Sequence, residues 1–480
     1  MFNNNDTDAG ELGATASALI FGNADQHDWQ GAIQGNLPRW VEGTLFLNGP
    51  AAFTRKGLFR GHWIDGDGMV RRFHFSDGKA RYRSRFVQTR RFVDERAQSK
   101  AIYRSFATAF PGDQLRDGKI LHTPANVSIH PFADRLLAFG EQCLPWALNP
   151  DTLATFEEHN FNGAFPGITA LSAHPKIDYP RRHMCNFGVT YRGLRTQLDY
   201  FECDENLSNK VKGTVELPEP YLIHDFLISE NFACFQLSPL YLDILAFARK
   251  GHSLLDATRW EPNRKPTLLL ISRANGKEIA RIESDTTGFS LHTLNAFESA
   301  ERLIADTLES DHPYYDQYYA KPGLFNNIGT TRIRRFIFRP TDGQLIDSHV
   351  TELGMHFDFP CLPARDIGKP SQFFWMLGMP TEPVNTPKFY DRVVRYDIER
   401  QAVADCFISQ PGRFLAAEPQ FLAAPEPEQG GILICQSFDV TSKYSYYIFL
   451  DAFNLERGII AGIKLPFFDP PAFHTSFQST

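Results

Sequence analysis

A chain of 480 residues with 42% hydrophobic and 22% charged residues has the material for a large core, and needs no covalent staple to fold. A formal net charge of −7, with no basic block, argues against a nucleic-acid partner. Seven scattered cysteines, an odd number with no CxxC pair, speak against a disulfide framework or zinc knuckle and fit a reduced, cytoplasmic compartment.

In chain order, residues 1–30 read as an N-terminal arm. Its opening, "MFNNNDTDAGELGATASALIFGN", has no basic region and contains three acidic residues, so neither a signal peptide nor a transit peptide is expected. Residues 31–480 read as a single domain. Short apolar runs such as "RLLAFG" (135–140), "NFACFQL" (231–237), "PTLLLIS" (266–272) and "YSYYIFL" (444–450) recur along it. Turn signals cut between them: "SDGK" (76–79), "NPDT" (149–152), "NGK" (275–277) and "TDGQ" (341–344). Alternation with β-branched and aromatic residues predicts strands and hairpins throughout. An all-β chain of this length must close or stack its sheets to remove edges, as a propeller or a two-sheet sandwich, and the pattern does not choose between them.

One segment interrupts the alternation. In 238–260, Leu240, Ile244, Leu245 and Phe247 recur at helical spacing ahead of Arg249 and Lys250, which predicts an amphipathic helix. Its apolar face either packs on the body of the fold or dips into a membrane surface. No run of about 18 apolar residues exists to span a bilayer. The 42 phenylalanines serve either as plain core or as lining for a long apolar ligand.

Four of the fifteen histidines share a setting: His174, His224, His292 and His474 each sit in or beside an apolar strand-like run. They lie too far apart for a helical i, i+4 metal motif. Single, widely spaced ligands suit strands that converge on one axis, as at the centre of a propeller. Four hydrogen-bonded core histidines are the other reading. The last of them lies in "PPAFHTSF" (470–477), between phenylalanines, where chain ends usually fray.

The ordered set "GNLPRWVEGTLFLNGP" (35–50), "HWIDGDGMVRRFHF" (62–75), "RSRFVQT" (83–89), "AHPKID" (173–178), "HDFLIS" (224–229), "HTLNAFE" (292–298) and a closing "FH" (473–474) resembles the carotenoid cleavage oxygenase family, over nearly the whole chain. The resemblance implies a seven-bladed β-propeller, with loops and short helices capping the face that carries the active site. It implies a single non-haem Fe(II) held by His174, His224, His292 and His474, with O2 as co-substrate. Three glutamates stand behind the ligands in this family. Glu141 and Glu418 match two of them, and Asp358 takes the third place with an acid one methylene shorter. Val127 matches a position that narrows one open site on the iron, and the "HWIDGDGM" loop a structural element.

The implied reaction is cleavage of a carotenoid or apocarotenoid double bond by O2 to two carbonyl products, with no acid–base side chain required. A second branch of the family cleaves stilbenoids and phenylpropanoids, and recognises a 4-hydroxyl with a lysine just before the first glutamate and an upstream tyrosine. Here those places fall at Gly140 and at Phe106, with Tyr103 close by. Without the lysine the phenol loses its recognition. The expected substrate is therefore an apolar polyene in a tunnel lined by Phe106, Phe110, Val127, Phe289, Phe357, Phe359 and Trp375. The expected entrance is a membrane face made of Leu240, Ile244, Leu245 and Phe247, on a peripherally bound protein with no obligate protein partner. A stilbenoid-cleaving enzyme, a polyene isomerase and a metal-free propeller binding module are the competing readings.

Overall fold

The computed structural model describes residues 4–116, 121–141, 143–192, 195–426 and 430–479. Their strands form seven antiparallel sheets of four or five strands, plus two short two-stranded ribbons. The inner strands of neighbouring sheets meet around a common axis. The chain is a seven-bladed β-propeller, numbered here as blades 1–7 from the N-terminus. The inner strands of blades 2–7 are Ser128–Phe132, Lys176–Asp178, Leu227–Ile228, Phe289–Ser299, His356–Cys361 and Arg413–Ala423.

Blade 1 takes its inner strand from the far end of the chain. His474–Ser479 pairs with Gly43–Pro50, His474 standing opposite Asn48. In return Gln34–Gly35 pairs with Ile459–Lys464 on the outer edge of blade 7. Each terminus therefore completes the other's sheet, which removes two open edges. The C-terminal approach is also tied down electrostatically: buried Asp469 accepts from Arg71 Nε at 2.9 Å, Tyr82 Oη at 3.0 Å and Tyr447 Oη at 2.7 Å. Phe473 packs on Trp63 at a ring separation of 4.6 Å. This segment is held, rather than frayed, because it is an interior strand.

The N-terminal arm lies against the propeller: helix α1 (Asn4–Ile20) buries Ala16 and Ile20 in the largest apolar cluster, and strand Asp28–Ala32 adds a fifth strand to blade 1. One expectation needs correction: 238–260 is not one helix. Leu240–Leu242 and Thr258–Trp260 pair as a ribbon, and only Ile244–Arg249 is helical. The stop and start signals lay inside the segment: Asp243 accepts from Ala246 N at 2.9 Å as N-cap, and Gly251, at φ 75°, follows the C-terminal end. Leu240 and Phe247 are consequently buried, at 3% and 4% exposure, while Leu245 is 53% exposed.

Candidate metal centre and cavity

Four blades deliver the four histidines. His174 and His224 stand just ahead of the inner strands of blades 3 and 4, His292 lies within that of blade 5, and His474 opens that of blade 1. Blades 6 and 7 contribute Asp358 and Glu418 from their own inner strands. Regular strands would not aim all these side chains inward. The pairing slips between Ser290 and Asn295 in blade 5, between Asp358 and Cys361 in blade 6, and between Ala416 and Gln420 in blade 7. Each slip is a bulge that re-aims a side chain. Phe359 and Ala417 take left-handed conformations there, at φ 54° and 60°.

The imidazoles converge through Nε2. His174 and His224 approach to 2.8 Å, and His224 and His292 to 3.3 Å, at that atom. Ring centroids of His174 and His474 lie 4.5 Å apart, and those of His292 and His474 5.2 Å. Behind the rings, His292 Nδ1 meets Asp358 Oδ1 at 2.5 Å and His474 Nδ1 meets Glu418 Oε2 at 3.2 Å. His224 Nδ1 lies 2.9 Å from Glu141 Oε1, too bent for a hydrogen bond. The shorter acid at 358 thus reaches its histidine directly, and its other oxygen accepts from Tyr314 Oη at 3.1 Å. Burial would raise the Asp358 carboxyl, but His292 and the other contacts hold it down to about 2. Burial opposes protonation of His292 in turn, yet Asp358 lifts it above its ordinary value. His174 lies well below the usual imidazole range, because it is buried and surrounded by other rings.

These donors fit a divalent cation. A carboxylate hydrogen-bonded at Nδ1, as Asp358 is to His292 and Glu418 to His474, keeps the ring proton there and leaves Nε2 a bare lone pair. His224 Nε2 stands 3.3 Å from the Nε2 of His292, close enough for one cation to draw on both. Two nitrogens at about 2.1 Å from one ion, at a right angle, stand about 3 Å apart. The neighbours of the rings are stitched across blades. Ser172 Oγ donates to the His224 carbonyl at 2.6 Å and accepts from His174 N at 3.1 Å. Asp225 accepts from Thr293 N at 2.9 Å and Oγ1 at 2.7 Å, and pairs with Lys176 at 2.7 Å.

A narrow apolar cavity opens on His224, His292 and His474. Of the expected lining, Phe106, Val127 and Phe359 face it, and Phe289 backs Tyr315 at a ring separation of 6.1 Å. Phe110, Phe357 and Trp375 do not line it. Phe357 precedes the blade 6 bulge and points into the cluster of Leu308, Met376 and Val394, whereas Phe359, past the bulge, is turned to the cavity. Trp375 is fully buried, stacks on Phe421 at 4.5 Å and donates Nε1 to the Ala452 carbonyl. The sequence reading missed Tyr315 and Tyr318, which line the cavity, and Tyr314 behind it. The tyrosine-dense "PYYDQYY" was the available signal.

The "HWIDGDGM" loop fixes two walls of this cavity. Asp65 accepts from Ala107 N at 3.1 Å and Thr108 Oγ1 at 2.6 Å, which anchors the segment carrying Phe106. His62 Nε2 donates to the Tyr315 carbonyl at 2.8 Å. Tyr103 turns away, its hydroxyl donating to Asp94 at 2.5 Å, so the residue facing the cavity is Phe106. At Gly140 an added Cβ would stand 2.1 Å from Thr123 Oγ1, so no lysine fits there without rearrangement. The short helix Ile244–Arg249 sits beside this region, Ile244 packing in the cluster that also takes in Phe106 and Leu222.

A propeller whose axis gathers four imidazoles beneath an apolar cavity defines a class of propeller protein with a histidine centre. The model of the retinal pigment epithelial membrane protein (RPE65) family matches residues 22–479, and the chain belongs to that family, the one its motifs resemble. Relatives include the apocarotenoid-15,15'-oxygenase of Synechocystis sp., 28% identical over 94% of this chain and 93% of that protein. The isoeugenol monooxygenase of Pseudomonas putida is 28% identical over 93% and 94%. The lignostilbene-alpha,beta-dioxygenase isozyme III of Sphingomonas paucimobilis is 28% identical over 90% of each. Among solved structures, cobalt-substituted Synechocystis ACO superposes with a TM-score of 0.87 at 25% identity, over 97% of this chain and 99% of that one. An ACO/RPE65 chimera does so at 0.87 and 26%, with the same coverage. The chain is an oxygenase.

Proposed function

We propose that this protein is an Fe(II)-dependent oxygenase that cleaves one C=C bond of an apocarotenoid or carotenoid with O2, giving two carbonyl products. His174, His224, His292 and His474 would hold the iron, with Asp358 and Glu418 orienting two of the rings and Glu141 standing behind His224. Bound there, ferrous iron supplies the electrons that activate O2 toward an electron-rich alkene. The chain's own residues do the rest. Phe106, Val127 and Phe359 keep the alkene dry and against the centre, and the fixed walls set which bond stands nearest.

The observation that carries the substrate reading is the cavity wall. Among the described residues no lysine or arginine lines it, Phe106 stands where the phenol-binding tyrosine would, and a side chain at Gly140 would meet Thr123 Oγ1. The aryl-alkene reading keeps support from relatives named for isoeugenol and lignostilbene at the same identity as the apocarotenoid enzyme. The convergent histidines weigh against a metal-free binding module. We further propose a cytoplasmic protein that touches membranes peripherally through exposed Leu245 and half-buried Ile244, beside the basic Arg249 and Lys250. No helix among the described residues is long and apolar enough to cross a bilayer.

Product mass analysis with a panel of apocarotenals, carotenes and resveratrol tests the proposal. Two carbonyl fragments from an apocarotenal are expected. Cleavage of resveratrol alone would replace this reading with the aryl-alkene one.

A further inference from the structure

Tyrosine hydroxyls in this part of the molecule fall into three groups. That of Tyr314 is spent on Asp358, at 3.1 Å. Those of Tyr241 and Tyr390 have no partner and are sealed in packing. Tyr315 and Tyr318 also lack a hydrogen-bond partner among the described residues, yet their hydroxyls are not sealed, and both residues line the cavity beside His224 and His292.

Their geometry is that of a paired device. Tyr315–Tyr318 is a single 3-10 turn, and side chains three apart on such a turn eclipse one another. The two ring centroids are 6.3 Å apart. Each ring is clamped: Tyr315 by Phe106 at 5.3 Å, Tyr318 by Trp63 at 5.8 Å and Phe325 at 5.6 Å. His62 holds the backbone of the turn through the Tyr315 carbonyl. Burial lifts both phenols far above their ordinary range, so they stay protonated and can donate. A pure hydrocarbon in this cavity would strip solvent from two donors and return nothing, and an unmade buried hydrogen bond is costly.

We infer that Tyr315 and Tyr318 together grip an acceptor oxygen on the substrate, so that the cavity selects alkenes bearing a carbonyl or ether oxygen over hydrocarbons of the same length. The inference rests on the proposed alkene-cleaving function, and it names the substrate feature that this site reads. Tyr315 and Tyr318 are specificity residues, apart from the carboxylates that orient the histidines.

The test is a titration with matched ligands, read by quenching of protein fluorescence. One pair is an apocarotenal and the polyene hydrocarbon of equal length; the other is 4-methoxystilbene and stilbene. Wild type should bind the oxygenated member of a pair about tenfold or more tightly, the scale expected of one or two net hydrogen bonds. In Tyr315→Phe/Tyr318→Phe that preference should shrink to twofold or less, through weaker binding of the oxygenated ligand alone. Equal affinity of wild type for both members of each pair would overturn the inference, and needs no variant to be observed. So would a double variant that loses the hydrocarbon as much as its partner, since the rings would then act only as wall. Which pair is turned over decides the substrate reading separately, and discrimination within a pair decides the role of the tyrosines.

Discussion

The histidine centre separates two chambers of opposite character. On one side lies the apolar cavity, walled by Phe106, Leu222, Leu291 and Phe473. On the other lies a chamber that shares His292 and His474 but brings Lys176, Asp225, Thr293, Glu418 and Gln420 in among its apolar residues. The inner strands run through the centre from one to the other. Residues just before a ring (Ile223, Leu291, Phe473) face the cavity, and residues just after it (Asp225, Thr293, Thr475) face the polar chamber. On these three segments one step switches the environment, and the rings form the partition. The cavity is built to receive an alkene, and the polar chamber to hold the partition rigid through cross-blade hydrogen bonds.

Removing the partition is the most damaging test. His292→Ala takes away one Nε2 and strands Asp358 without its ring, so metal uptake and turnover should both fall to background, read by metal analysis and product formation. Retained activity would break the comparison at its centre. On the cavity side, Phe106→Asp puts a carboxylate on the apolar wall. Alkene KM should rise at least tenfold while metal stoichiometry stays at wild type, because the charge costs several kcal/mol to bury against an apolar ligand.

Substitution on the polar side should do the reverse. Asp225→Asn leaves Lys176 facing a neutral amide and weakens the tie to Thr293. Losing one partner of a buried pair costs 3–5 kcal/mol, and the partial exposure of Lys176 reduces this to about 2 kcal/mol, read as a lower Tm. Alkene KM should hardly move. The smallest effect belongs to the rim: Ile244→Ser/Leu245→Ser should lower partitioning onto anionic vesicles several-fold without changing the metal content. Unchanged partitioning would place any membrane contact elsewhere.

Which parts of this were legible in the sequence follows from how local each signal is. The four histidines and the pinned C-terminus were readable because each sits in a short motif with a fixed apolar setting. The bulges were not, since a slip in pairing leaves no periodic trace, and this is why Phe357 and Phe359 were given the same orientation although the bulge turns them apart. Trp375, expected as lining, instead commits its indole to the Ala452 carbonyl, a contact with no local trace in the sequence. The 238–260 segment misled because apolar spacings of three and four also arise when a strand, a short helix and a strand follow one another. Asp243 and Gly251 marked those breaks. The reach of Asp358 to His292 could not be read at all, because it depends on the backbone of two different blades.

The account stands on four imidazoles from four blades serving one cation. X-ray absorption on the protein loaded with Co(II) or Fe(II), together with metal stoichiometry, tests this most directly. One ion per chain surrounded by four imidazole nitrogens is the predicted result. An ion held by two or fewer imidazoles, or a chain that takes up no metal while folded, would contradict it.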